Sequence, residues 1–200
     1  MEEDYNYTSF SFFRRPIQNT EPYRAADVVD MYRYITSTYA RTQTEALRSI
    51  AEPKEAKAYK AANFDYCTFS GLFRKRSDKA LLLHSGLMCI DFDDVEDMDA
   101  LKQRLIHHEY FDTELLFVSP SGNGLKWIIP IDLRGCNHSR YFKAVANCIE
   151  ATVGIKPDPS GSDVSRSCFL PYDPNAYINP KYADYVKENI FRPRLGECPF

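Results

Sequence analysis

Asp91 and Asp93 close the apolar part of the segment Leu83 to Glu96, LHSGLMCIDFDDVE. Bulky apolar residues ending in alternating acids predict a buried strand that delivers carboxylates at its C-terminal end. Side chains of a strand alternate faces, so Asp91 and Asp93 share one face and Ile90 and Phe92 the other. At about 3.3 Å per residue the two Cα atoms lie about 6.6 Å apart. Carboxylates so spaced can converge on one divalent ion, or on two ions about 3.5 to 4 Å apart as in phosphoryl and nucleotidyl transfer. The competing reading is a strand running out into an acidic, helix-capping loop, because Asp94, Glu96, Asp97 and Asp99 follow.

A second group of residues lies downstream. Ser119 to Lys126, SPSGNGLK, has two glycines that let backbone N–H groups approach a ligand, with a lysine just beyond. It is not a Walker A loop, since Trp127 and an apolar strand follow the lysine. The plain alternative is a glycine hairpin turn with a lysine on its rim. Lys126 is the single charge in an apolar run, and a buried ammonium needs an anion: Asp91, Asp93 or a phosphate. Lys156 to Asn179 adds Asp158, Asp163, Arg166 and Asp173. Asp158 or Asp163 offers a third carboxylate and Arg166 a fork for phosphate. Each of these acids also suits an Asx-type turn, the preferred reading for Asp173 before Pro174. Two basic stretches have blander readings: Lys54, Lys57 and Lys60 as a solvated helix face, and Arg74 to Lys79, RKRSDK, as a polar hairpin turn.

The elements that must position these residues follow from periodicity. Tyr7 to Ile17 predicts an opening strand, and Arg24 to Ser49 an amphipathic helix broken near Thr38. Pro53 opens a helix through KEAKAYKAA, and FDYCTFSGLF, Phe64 to Phe73, is strand-like and bent at Ser70-Gly71. Asp97 caps a helix with Met98, Leu101, Leu105 and Ile106 on one face; His107 and His108 close it as favourable C-terminal charges. Strands follow at Leu115 to Val118 and Leu125 to Ile131, then a helix from Ser139 to Val153 ended by Gly154, and a last strand at Cys168 to Leu170. From Leu87 the order is β-α-β-β-α-β, that of the ferredoxin-like split βαβ unit, with helices on one sheet face and the other free for a site.

Composition sets the class. Two hundred residues, 44% apolar with 14 Tyr and 13 Phe, suit one globular domain. A net charge of -3 gives no global basic field for coating nucleic acid. Cys67, Cys89, Cys136, Cys148, Cys168 and Cys198 show no zinc spacing and read as thiols of a reducing compartment. Neither a secretion signal nor an apolar run of membrane-spanning length is present, so a cytoplasmic chain without membrane partners is expected.

The strand ending in IDFD, the loop SPSGNGLK and the later DVSRSCFLPYDP together resemble the three motifs of the archaeo-eukaryotic primase superfamily, the primase-polymerases. More closely, the chain resembles the N-terminal primase-like domain of virulence-associated protein E-like proteins of bacterial mobile elements. The resemblance covers nearly the whole chain, FDYCTFSGLF included. It implies an α+β fold in one domain, residues 1–200: an RRM-like catalytic half, 81–200, with an N-terminal α/β half, 1–80, packed on it. It also implies nucleotidyl transfer with Mg²⁺ or Mn²⁺, to synthesise or extend a nucleic-acid strand in mobile-element replication. The implied partners are nucleoside triphosphates, single-stranded or primed nucleic acid, and a helicase-like ATPase in trans or C-terminal to this segment. By position, Asp91 and Asp93 match the metal-binding and catalytic pair, and Asp163, or else Asp158, the third acid. Lys126 stands where many members carry a nucleotide-contacting histidine. With Ser119, Ser121, Gly122, Asn123 and Gly124 it would hold triphosphate, assisted by Arg166. The alternatives are a non-catalytic nucleic-acid or replisome-binding module that keeps the fold, and a metal-dependent nuclease.

Overall fold

The computed structural model describes residues 8–188; Tyr7, the first residue of the expected opening strand, and Cys198 lie outside that range. Phe10–Phe13 forms β1. Arg24–Ala26 is a strand, β2, rather than the start of a helix, and pairs antiparallel with β1 through Phe10↔Ala26. The helix waits for Asp27, whose carboxylate accepts from the Asp30 N–H and caps α1, Val28–Thr36. The expected break falls at Ser37, whose hydroxyl donates to Tyr34 O at 2.7 Å, and α2 resumes at Arg41–Ser49. Pro53 opens α3, Pro53–Asn63. Beyond it come β3, Tyr66–Thr68, and a hairpin of β4, Gly71–Phe73, with β5, Leu81–His84; RKRSDK is its polar link.

The acidic strand is β6, Leu87–Phe92. It leads into α4, Met98–Ile106, capped by Asp97, which accepts from Ala100 N–H at 2.9 Å. The rest comprises β7, Leu115–Val118; β8, Leu125–Pro130; α5, His138–Val153; β9, Cys168–Phe169; β10, Tyr177–Ile178; and α6, Ala183–Glu188.

Two four-stranded antiparallel sheets organise these elements, in orders β2-β1-β3-β9 and β10-β7-β8-β6. The α+β class and the order of elements from β6 onward follow the sequence, but the pairing departs from the expected unit. The strand at Cys168 leaves the second sheet and pairs with β3 through Cys67↔Cys168, while β10 is added beside β7 at the edge opposite β6. The cause is packing: Cys168 and Leu170 join the apolar cluster of β1 and α1, and Leu170 N–H donates to Asp65 O at 3.0 Å. The boundary at residues 80 and 81 falls inside the β4–β5 hairpin, and β9 crosses back over it.

Period-two alternation divides the second sheet between two cores. Met88, Ile90, Phe92, Leu125, Trp127 and Ile129 face α4 and α5. Leu87, Leu115, Phe117 and Ile128 face the opposite way, against Phe10, Phe12, Met31 and Ile35 of the N-terminal half. The face expected to lie free is therefore largely covered, and a site on it must sit at the seam of the halves.

Asp65 anchors that half. Fully buried, it accepts from Arg15 N–H at 2.8 Å, Tyr34 OH at 3.1 Å and Arg14 Nη1 at 3.2 Å. Asp65→Ala removes the buried acceptor shared by Arg14, Arg15 N–H and Tyr34, and each buried polar group that loses its partner costs about 1–3 kcal/mol. A clearly lowered urea midpoint is the expected outcome; an unchanged one would show the network to be dispensable.

Candidate functional site

Asp91 and Lys126 are Cα partners in the β6–β8 ladder, on the seam-facing side of the sheet. Lys126 Nζ and Asp91 Oδ2 form an ion pair, with side-chain exposures of 13% and 8%. Burial pushes the Lys126 ammonium down, but the Asp91 carboxylate outweighs it and holds the lysine above its ordinary value. Cys89 lies 3.9 Å from Asp91 Oδ1 and 3.8 Å from Cys168 Sγ. The hydrogen bond to Cys168 and burial raise the Cys89 thiol well above its usual range, so it stays protonated.

Asp93 lies just past the end of β6, exposed, where Asp94 takes a positive φ of 51° and turns the chain. The segment from Asp158 runs along the free edge of β6: Asp158 N–H donates to Asp91 O at 2.9 Å. A Cβ at Gly161 would collide with the Phe142 ring and come within 3.1 Å of Cys89 O, so only glycine lets this segment lie so close. Burial raises the Asp158 carboxyl, yet hydrogen bonds from Ser160 and the charges of Arg166 and Lys126 bring it below the usual carboxylate range. Arg166 Nη2 reaches Asp158 Oδ2 at 3.5 Å.

Asp163 stands elsewhere. Its Oδ1 accepts from Ser165 N–H at 2.7 Å, and it neighbours Asp78 and His138. Of the two acids considered for the third position, Asp158 is therefore the one beside Asp91. Lys60, read from sequence as part of a solvated stripe, turns into the site from the last turn of α3: it is half-buried and lies within electrostatic reach of Lys126, Asp93, Asp91 and Arg166. No local signal marks it, since Lys54 and Lys57 on the same helix are exposed.

The loop Ser119 to Gly124 is a hairpin turn whose backbone is largely engaged. Ser119 N–H donates to Gly124 O at 2.8 Å and Gly122 N–H to Ser119 O at 2.9 Å. Asn123 Nδ2 bonds Asp94 Oδ1 at 2.7 Å, and Gly124 packs so closely on Phe92 O that a Cβ would clash. Arg48 of α2, which the sequence did not single out, donates to Pro120 O at 3.2 Å and Ser119 O at 3.3 Å. The loop thus fixes the end of β6, and Ser121 lies on its exposed crest. Asp173 is a turn former: it accepts from Asn175 N–H at 3.0 Å and from Val118 N–H at 2.8 Å.

A second polar cluster joins β5 to α5. Gly86 N–H donates to His84 Nδ1 at 3.0 Å, His84 Nε2 lies 3.0 Å from His138 Nδ1, and His138 Nε2 lies 3.2 Å from Gly161 O. This chain assigns one tautomer to each ring, His84 donating to His138 and His138 to the carbonyl, both neutral.

Asp91, Asp93 and Asp158 are hard oxygen donors of the kind Mg²⁺ and Mn²⁺ prefer. As arranged, Lys126 already neutralises Asp91, and no group of three or more acidic, His or Cys side chains among the described residues is gathered for a metal. Also among the described residues, no helix is long and apolar enough to cross a membrane.

Residues 58–178 match the family model described as BT4734-like, N-terminal domain, and the chain belongs to that family. No curated protein and no solved structure matches the chain. The matched segment holds Lys60, Asp91, Asp93, Lys126, Asp158 and Arg166 but omits β1, which pairs with β3.

Two outcomes follow. Lys126→Met keeps the volume and leaves Asp91 buried without its cation, so the ligand-free melting midpoint should drop by the equivalent of about 3 kcal/mol or more, against no change if the pair were incidental. Burial and His138 bring the His84 imidazole from 6.5 to about 4, so the unfolded chain binds more protons between those values and stability falls as pH drops through that window. Melting curves from pH 7 to 4 should show this slope, flattened in His84→Gln; parallel curves would refute it.

Proposed function

We propose that this member of the BT4734-like N-terminal domain family binds the phosphates of a nucleotide or nucleic-acid strand at the seam of its halves and acts as a primase-polymerase-like nucleotidyltransferase. One observation carries the reading: Lys60, Lys126 and Arg166 meet Asp91, Asp93 and Asp158 there, from α3, β8, β6 and the segment after α5. Cations so placed suit a polyphosphate, and neighbouring carboxylates suit the ions that accompany one. The motif resemblance to primase-polymerases supports the same chemistry, with nucleoside triphosphates and single-stranded or primed nucleic acid as partners and a helicase-like ATPase as a companion.

Within this reading Lys126 orients a phosphate and Arg166 presents its fork. Asp91, Asp93 and Asp158 are the residues that would hold Mg²⁺ or Mn²⁺, which neutralises phosphate charge and activates the attacking hydroxyl when bound. Lys126 must then exchange Asp91 for phosphate. That exchange is electrostatically balanced, because the ammonium keeps an anion and the carboxylate gains a cation.

A second reading, a binding module without catalysis, is favoured by the Asp91–Lys126 pair itself, which satisfies the carboxylate that chemistry would need. Incubating the protein with Mn²⁺ or Mg²⁺, single-stranded templates and labelled NTPs or dNTPs separates them. Extended products that vanish in Asp91→Asn/Asp93→Asn support the transferase; nucleotide or strand binding without extension supports the module; shortened template would instead identify a nuclease.

A further inference from the structure

We propose that Lys60 is the cation that receives a ligand phosphate at this seam, together with Arg166, so that ligand binding ties α3 to the central sheet. This rests on the phosphate-binding reading and deepens it by naming the cation that receives the phosphate. The other two cations of the cluster have carboxylate partners: Lys126 has Asp91, and Arg166 has Asp158 at 3.5 Å. Among the described residues, no carboxylate lies within ion-pair distance of Lys60. Instead its ammonium sits 5.9 Å from the centroid of the Phe169 ring, half-buried between α3 and β9.

An ammonium is costly to hold out of water without a counter-ion. Burial lowers Lys60 from its ordinary value and Lys126 lowers it further, while Asp93 and Asp91 act in the opposite sense from a distance. A helix C-terminus attracts a cation weakly, but that effect operates equally well on a solvated side chain and does not account for the burial. A phosphate placed between Lys60 and Arg166 would relieve the Lys60–Lys126 repulsion and loosen the long Arg166–Asp158 contact without uncovering apolar surface. The chemistry recognised is a phosphate group, whether from a triphosphate tail or a strand backbone.

The test uses Lys60→Met, whose stem keeps the packing on Phe169 and loses the charge, with Lys54→Ala and Lys57→Ala as controls on the exposed face of the same helix. Thermal shift and calorimetry are run with tripolyphosphate, dATP and a single-stranded oligonucleotide. Lys60→Met should bind about ten- to hundredfold more weakly, the loss expected for a charge-assisted contact, with its ligand-free midpoint not lowered and both controls like wild type. Loss confined to tripolyphosphate and dATP identifies the triphosphate tail, and loss confined to the oligonucleotide identifies the backbone. Wild-type affinity in Lys60→Met for all three probes overturns the assignment, as does the absence of binding by any probe to wild type. Binding that needs Lys60 without strand extension leaves the assignment standing and removes only the transferase reading.

Discussion

The buried pairing of Asp91 with Lys126 is the constraint around which this structure is arranged. Both side chains point into the seam between the two sheets, where neither charge is tolerable alone. Register places them: the antiparallel ladder from Leu87↔Pro130 to Phe92↔Leu125 makes them direct partners, and a slip of one strand by one residue would turn its charge to the apolar face under α4 and α5 and part the pair. The pair and the register thus support each other. Apolar neighbours such as Ile90 and Trp127 stay in one core only while Asp91 and Lys126 stay out of it.

The seam is closed by elements far apart in sequence. β9 carries Cys168 from the C-terminal half into the N-terminal sheet, against Cys67 of β3 and near Cys89 of β6, and these thiols are free. Such crossing makes the halves one packing unit rather than two modules joined by a linker. The segment matched by the family model leaves out β1, although β3 lies between β1 and β9 in the first sheet.

Buried charge elsewhere in the molecule is consistently paired. Asp65 has Arg14 and the Arg15 amide, and Glu114 has Lys181 at 2.5 Å and Tyr182 OH at 2.6 Å. Asp173 is satisfied by backbone N–H groups. Half-buried Lys60, with no carboxylate at ion-pair distance among the described residues, stands instead beside another lysine, within electrostatic reach of the acids that the sequence marks out. Exceptions to local satisfaction concentrate where a structure is prepared for something outside itself.

Much of this was legible in the sequence. Alternation through LMCIDF set the face of Asp91, an apolar strand interrupted by Lys126 required an anion for it, and Asp97 and Pro53 marked helix starts. These depend on the periods of strand and helix and on caps, which act over a few residues. The tertiary structure alone decided that the anion is Asp91, that Asp158 rather than Asp163 lies beside it, that Lys60 leaves its solvated stripe, and that Cys168 joins the other sheet. Those outcomes rest on contacts between segments 35 to 109 residues apart, from Asp91 with Lys126 to Lys60 with Phe169. Such contacts are chosen by how the two cores fill, and no local pattern of residues encodes that choice.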